Sequence, residues 1–194
     1  SFKGSSLEEL ILVDIGMGVK GVTALADAIR AMAGVARVSV LSNPIGAEGA
    51  AALIDVYEKN PKLLTLLGIE EGVTEINFSE KKVDVGQCMV LAAELRAGRV
   101  TAVINSIVLD GCALTGATKT NSWDKTFSQN IDSQMDGFVA LCAVFGKLER
   151  ISLVNCGLGP TSAAELSKAV SSAGAAVISS LVLKGNFPCG RVSK

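Results

Sequence analysis

The sequence predicts an α/β fold: a right-handed solenoid of about six strand units, with a parallel sheet on the concave side and helices on the convex side. Two observations carry that expectation. Residues 7–29, LEELILVDIGMGVKGVTALADAI, superpose without a gap on residues 35–57, VARVSVLSNPIGAEGAAALIDVY, at an offset of 28 (35 minus 7). Within each copy the apolar period changes from alternate residues to helical spacing. One strand–turn–helix unit cannot bury its own apolar face, whereas a stack of them makes a helix-covered parallel sheet joined by right-handed crossovers.

Residues 35–57 show the unit most clearly. Val35, Val38 and Val40 alternate with Arg37, Ser39 and Leu41, the period-two mark of a strand. Ser42, Asn43 and Pro44 then turn the chain, and Pro44 has no N–H to continue a ladder. After Gly46 and Gly49, the run from Ala50 through Leu53 to Tyr57 is rich in helix formers at helical spacing. In the preceding copy Leu7, Leu10 and Leu12 take the strand positions, and Met17, Gly18, Gly21, Leu25 and Ile29 follow through turn and helix.

A third copy starts at Val73, with Ile76 and Phe78 in its strand, a turn at Lys81 and Val83, and a helix through Leu91 and Leu95. It lies 38 positions after the second (73 minus 35), so residues 64–72 are an insertion, expected to pack as an apolar cap on the opposite rim. The fourth begins at Ile104 with Ile107, Leu109, Cys112 and Leu114, breaks off, and resumes at Gly137, Leu141 and Phe145. Residues 117–135 are its polar insertion. The fifth is uninterrupted through Leu148, Ile151, Leu153, Cys156, Leu158, Leu166 and Val170. Pro160 suits its first helical turn, and Ser162 with Glu165 suggests a capping pair. A sixth strand and turn, with Ile178, Leu181, Leu183, Asn186 and Pro188, has no helix. Repeats therefore start near 7, 35, 73, 104, 148 and 178 in one domain spanning 1–194. Because a solenoid exposes core at uncapped ends, a segment of a longer array, or a subunit with covered edges, is expected.

The pattern LxxLxLxxNxIGxxGAxxL, carried by residues 35–53, resembles the leucine-rich repeats of ribonuclease-inhibitor type. The family's asparagine or cysteine position falls on Asn43, Cys112, Cys156 and Asn186, where the resemblance implies a side chain bonded to turn backbone. Ile15 and Lys81 depart from it, and Gln87 stands in place of the glycine that usually opens the helix, so irregular first and third turns are expected.

Composition narrows the function. An apolar content of 49% with mean hydropathy +0.44 implies a well-buried domain. No apolar run reaches the roughly 18 residues of a membrane span. Eighteen basic and 19 acidic residues give a net charge of −1, which does not favour nucleic acid as a partner. Cys88, Cys112, Cys142, Cys156 and Cys189 are scattered and never form CxxC, arguing against a zinc site or disulfide framework. An intracellular, cytoplasmic setting is expected. With no histidine, imidazole chemistry is excluded for the chain acting alone, and no enzyme, cofactor or metal is expected.

Gly16, Gly18 and Gly21 form GxGxxG after a strand and before a helix, the arrangement of a nucleotide or S-adenosylmethionine turn. Gly18 and Gly21 recur as Gly46 and Gly49, however, and no acidic residue ends the next strand to hold a ribose. The repeat therefore accounts for them, and a cofactor-binding enzyme is the alternative. Structural cysteines at Cys112, Cys142 and Cys156, and solvated carboxylates at Glu8, Glu9, Asp14, Glu70, Glu71 and Glu75, are expected in the same spirit.

Partner-binding residues are sought between the strand leucines, on the concave face: Ile11, Val13, Arg37, Ser39, Leu41, Asn77, Val108, Asp110, Arg150, Val154 and Lys184. Their aliphatic members, with Val182, would form an apolar band rimmed by charge, the look of a protein-binding surface. Trp123 and Phe127, with Lys119 and Lys125, make the second insertion another candidate, either as anchors for a partner or as pins for their own loop. The expected function is a non-catalytic scaffold for a protein partner or larger complex. The repeat resemblance also admits a regulator of a small GTPase, since the Ran GTPase activators share this repeat type.

Overall fold

The computed structural model describes residues 7–32, 34–120, 127–172 and 177–187. Along them strands and helices alternate: β1 (Glu9–Ile11), α1 (Val19–Ala31), β2 (Arg37–Ser39), α2 (Gly46–Lys59), β3 (Glu75–Asn77), α3 (Val85–Ala97), β4 (Ser106–Val108), α4 (Asp136–Phe145), β5 (Arg150–Ser152), α5 (Pro160–Ser171) and β6 (Ser180–Val182). All strand pairs are parallel, and the register places Glu9 beside Arg37 and carries Glu75, Ser106, Arg150 and Ser180 in one row.

Recurrence reaches the backbone. After each strand the residue at an equivalent turn position takes a left-handed conformation: Asp14, Ser42, Glu80, Gly111, Asn155 and Gly185. Asp14 to Ser42 is 28 residues and Ser42 to Glu80 is 38, the offsets that relate the sequence copies. Left-handed geometry strains a residue with a Cβ, and small polar types tolerate it best, which fits Asp, Asn and Ser here.

Turn side chains tie each unit to the one before. Asn43 Nδ2 donates to the Leu12 carbonyl while its Oδ1 accepts from the N–H groups of Ile15 (3.1 Å) and Met17 (2.9 Å). The Cys112 thiol donates to the Phe78 carbonyl and the Cys156 thiol to that of Leu109, each at 3.2 Å. Asn186 donates to the Leu153 carbonyl and accepts from the N–H groups of Cys156 and Leu158. In the third unit the duty passes to Gln87, whose Nε2 donates to the carbonyls of Val40 and Asn43, both at 3.1 Å. The third turn is irregular as expected, and an amide from the helix compensates.

The core runs without a gap from Val22 to Leu166 and takes in Val38, Ile76, Ile107 and Ile151 from the strands with Leu53, Leu91 and Leu141 from the helices. Helix α3 lies at its centre, with residues 85–88 and 90–95 buried. Close helix contact depends on two glycines. A Cβ on Gly86 would lie 2.1 Å from the Gly46 carbonyl oxygen, and one on Gly137 would lie 2.1 Å from that of Val85.

The sheet is not continuous. It divides into β1-β2 and β3-β4-β5-β6, because residues 63–69 occupy the position beside β2 that β3 was expected to take. These residues pair with β2 through Val38 N–H to the Thr65 carbonyl (2.9 Å), Val40 N–H to that of Leu66 (3.0 Å), and Gly68 N–H back to that of Val38 (3.0 Å). The first insertion is thus a strand-like wedge in the sheet layer and not a cap on the rim.

The second insertion folds back on the fifth unit. Thr118 and Gln129 form an antiparallel bridge, and Phe127 packs where a Cβ on Gly157 would lie 2.6 Å from its own. Asp132 then caps α5, its carboxylate accepting from the N–H groups of Gly159, Thr161 and Ser162. The expected Ser162–Glu165 pair does not form: Ser162 Oγ bonds Gly159 at the cap, while Glu165 pairs with Lys168.

Candidate functional site

The pleat turns alternate strand residues out of the core, and the ladder sets them in rows. Of the residues sought as a partner surface, Ile11 (64% exposed), Val13 (39%), Asn77, Arg150 and Lys184 are exposed, and Val182 joins them. Val108, Asp110 and Val154 are half-buried. Neither Arg150 nor Lys184 forms an ion pair among the described residues. Acidic groups of the same face are engaged internally: Glu75 accepts from Ser106 Oγ (2.9 Å), and Asp110 accepts from Ser152 Oγ (2.7 Å) and the Val154 N–H (2.9 Å). The sheet β3-β6 therefore offers a row of small polar and aliphatic side chains, with two cations on its last two units that are unpaired among the described residues.

Two expectations change, and of the two roles open to Phe127 its burial fits the pin. Ser39 and Leu41 are buried, not exposed: the wedge beside β2 brings Gly68 against Ser39, where a Cβ on the glycine would sit 2.9 Å from the Ser39 side chain, and Leu41 joins the core. The third turn also abuts the end of β2 through Ser42 Oγ to the Lys81 carbonyl (2.6 Å). Arg37 is half-buried and held by Glu9 (3.4 Å) and by the Ile69 carbonyl (2.9 Å), so its charge is largely spent inside the molecule. Phe127 is 8% exposed and pins its own loop, with Lys119 Nζ 5.0 Å from its ring centroid. The apolar band is thus interrupted at β2. Trp123 lies outside the described residues.

At the GxGxxG turn, the amides of Ile15 and Met17, which would have to face a cofactor phosphate, already bond Asn43. Met17 Cγ stands where a Cβ on Gly21 would be, 2.7 Å away, filling the space beside the helix start. Cys88, Cys112, Cys142 and Cys156 are free and buried. Burial drives each thiol above its ordinary pKa, that of Cys142 to about 12, so none is primed as a nucleophile. Among the described residues no group of three or more His, Cys, Asp or Glu is placed to hold a metal, and no helix is long and apolar enough to cross a membrane.

One chemically unusual group escaped the sequence reading. Glu94, wholly buried in α3, accepts from Leu66 N–H (2.6 Å) and Leu67 N–H (3.0 Å) on Oε1 and from Thr65 Oγ1 (2.9 Å) on Oε2. Burial pushes its pKa up to about 7 against the lowering effect of those donors. The signal was its place in LAAELRA, an acid three residues after Leu91 and next to Leu95 on the expected core face.

Compared with known proteins, the chain matches no family model and no curated sequence.

Proposed function

We propose that the chain is a leucine-rich-repeat solenoid of ribonuclease-inhibitor type, serving as a non-catalytic scaffold for protein interaction or assembly. The observation that carries this reading is the face of β3-β6, where in-register strands present Asn77, Arg150, Val182 and Lys184 to solvent on a rigid frame. Exposed aliphatic groups beside the exposed guanidinium and ammonium groups suit a protein partner with acidic and apolar side chains. Binding would need little backbone movement, since side chains of the second to sixth units bond each to the unit before. The committed amides of the 16–21 turn weigh against a nucleotide or S-adenosylmethionine enzyme, because backbone donors are what such a turn supplies.

The test is native affinity capture with wild type, Arg150→Glu, Val182→Lys and, as a helix-side control, Lys168→Glu. Loss of the same partner with both strand-face variants, but not with the control, is expected. Identical partners for all four proteins would sink the reading.

A further inference from the structure

Exposed aliphatic side chains gather on the outer units. Of the eight large apolar residues in solvent among the described residues, Ile11, Val13 and Ile15 belong to the first unit, and Val170, Val177 and Val182 to the last two. They border surfaces that match. Among the described residues β1 pairs only with β2 and β6 only with β5, so each strand keeps one open edge. Leu12 and Asp14 donate to β2, which turns the carbonyls of Ile11 and Val13 the other way. Leu153 and Asn155 donate to the carbonyls of Val182 and Lys184, which turns the N–H groups of Leu183 and Gly185 away from β5. One edge thus shows acceptors at the positions where the other shows donors.

The helices behind these edges match as well. Arg30 meets Asp55 of α2 on one flank of α1, so the opposite flank turns Gly21, Leu25 and Ala28 outward, at i, i+4 and i+7. On α5 Ala163, Ser167 and Val170 recur at the same spacing and line, with Leu181 and Leu183, a groove of about 250 Å³.

We propose that a second copy of this chain docks here head to tail, with β1 and α1 of one copy seated on β6 and α5 of the other. The N–H groups of Leu183 and Gly185 then bond the carbonyls of Ile11 and Val13 across the joint, as those of Leu12 and Asp14 bond Ser39 and Leu41 within the chain. That register sets Ile11 beside Val182 and Val13 beside Lys184, extending the row of Val108, Ser152 and Val182. Charge fixes the polarity. Residues 7–18 carry Glu8, Glu9 and Asp14 and no base, whereas residues 177–187 carry Lys184 and no acid, so unlike edges attract and like edges repel. One bond is missing from the joint. Asn43, Cys112, Cys156 and Asn186 each donate to the unit before, and Ile15, 59% exposed, stands at their position in the first unit. Docking is therefore weaker than the joints inside the chain and depends on concentration. Because the two surfaces differ, it does not stop at two copies. It uses the outer edges and leaves the face of β3-β6 free, so it is independent of the partner surface proposed there.

Sedimentation velocity from low to several hundred micromolar protein tests this. The mean mass of the wild-type chain should rise from 19.9 kDa past that of two copies. Val170→Lys, on the exposed flank of α5, should stay at the mass of one copy, and Arg150→Glu, on the strand face, should behave as wild type. Ile15→Asn supplies the missing donor to the Leu183 carbonyl of the other copy, and should reach the wild-type mean mass at roughly fivefold lower concentration, the worth of about one hydrogen bond. A single-copy mass for the wild type throughout overturns the proposal, as does a plateau at two copies, which marks a two-fold contact. Association that survives Val170→Lys or is lost in Arg150→Glu overturns it too. Should Val170→Lys not fold, Ile15→Asn decides: association no tighter than wild type overturns head-to-tail docking.

Discussion

Asn43 meets the preceding turn at three points: the N–H groups of Ile15 and Met17 and the Leu12 carbonyl. Alanine there removes all three bonds from part-buried backbone groups, and each lost bond costs about 1 kcal/mol. Asn43→Ala should therefore lower unfolding stability by roughly 3 kcal/mol in urea titration. Asn186→Ala, at a residue that is itself only half-buried where Asn43 is 1% exposed, should cost less; equal losses would mean that burial of the residue does not set the effect. The same scale governs the thiols. Burial holds Cys88, Cys112, Cys142 and Cys156 largely protonated, so alkylation at pH 8 should modify them only after denaturant is added, as mass spectrometry would read. Rapid labelling of any of the four in the native protein would contradict their placement.

Helix spacing makes a sharper claim about whole elements. Gly86→Ala would drive a methyl group into the Gly46 carbonyl, and α2 and α3 would have to separate, at a cost of about 3 kcal/mol or more. Gly18→Ala, with nothing within 4 Å, should change stability by less than about 1 kcal/mol. Asp132→Ala should weaken α5 by about 1–2 kcal/mol through loss of its cap, although the residue lies 27 positions before Gly159. That cap shows where sequence reading stopped. The strands and helices were legible because period and turn chemistry are local, and their recurrence fixed the order of units. The cap of α5, the substitution of Gln87 for a turn residue and the wedge depend on which segments meet in space. Ile15 and Lys81 nonetheless marked the break in advance. Each lacks the ladder amide or thiol, and each belongs to a unit whose strand, β1 or β3, has no paired strand before it among the described residues. On the candidate surface, alternation correctly placed Asn77, Arg150 and Lys184 in solvent. It misplaced Ser39 and Leu41, since no pattern within β2 announces that residues 63–69 will pack against Ser39 or that Leu41 will join the core.

Across the molecule, the divided sheet is bridged by a continuous core, with α3 packed between α2 and α4. Leu91, at the middle of α3 and fully buried, belongs to both halves. Leu91→Ala should cost about 3 kcal/mol. The loss should appear in one calorimetric transition, because the two sheets share that helix row; two resolved transitions would show them to be separate folding units. Mechanical load should give another result. The turn donors of Asn43, Gln87, Cys112, Cys156 and Asn186 each span a single boundary between units, lying along the axis on which the units succeed one another. Tension on the two ends therefore reaches these boundaries in series and breaks them singly, not together in shear. Under an optical trap the chain should lengthen in several small steps at low force, like a fastener opening tooth by tooth, so that it can yield part of its length while the remaining units stay folded.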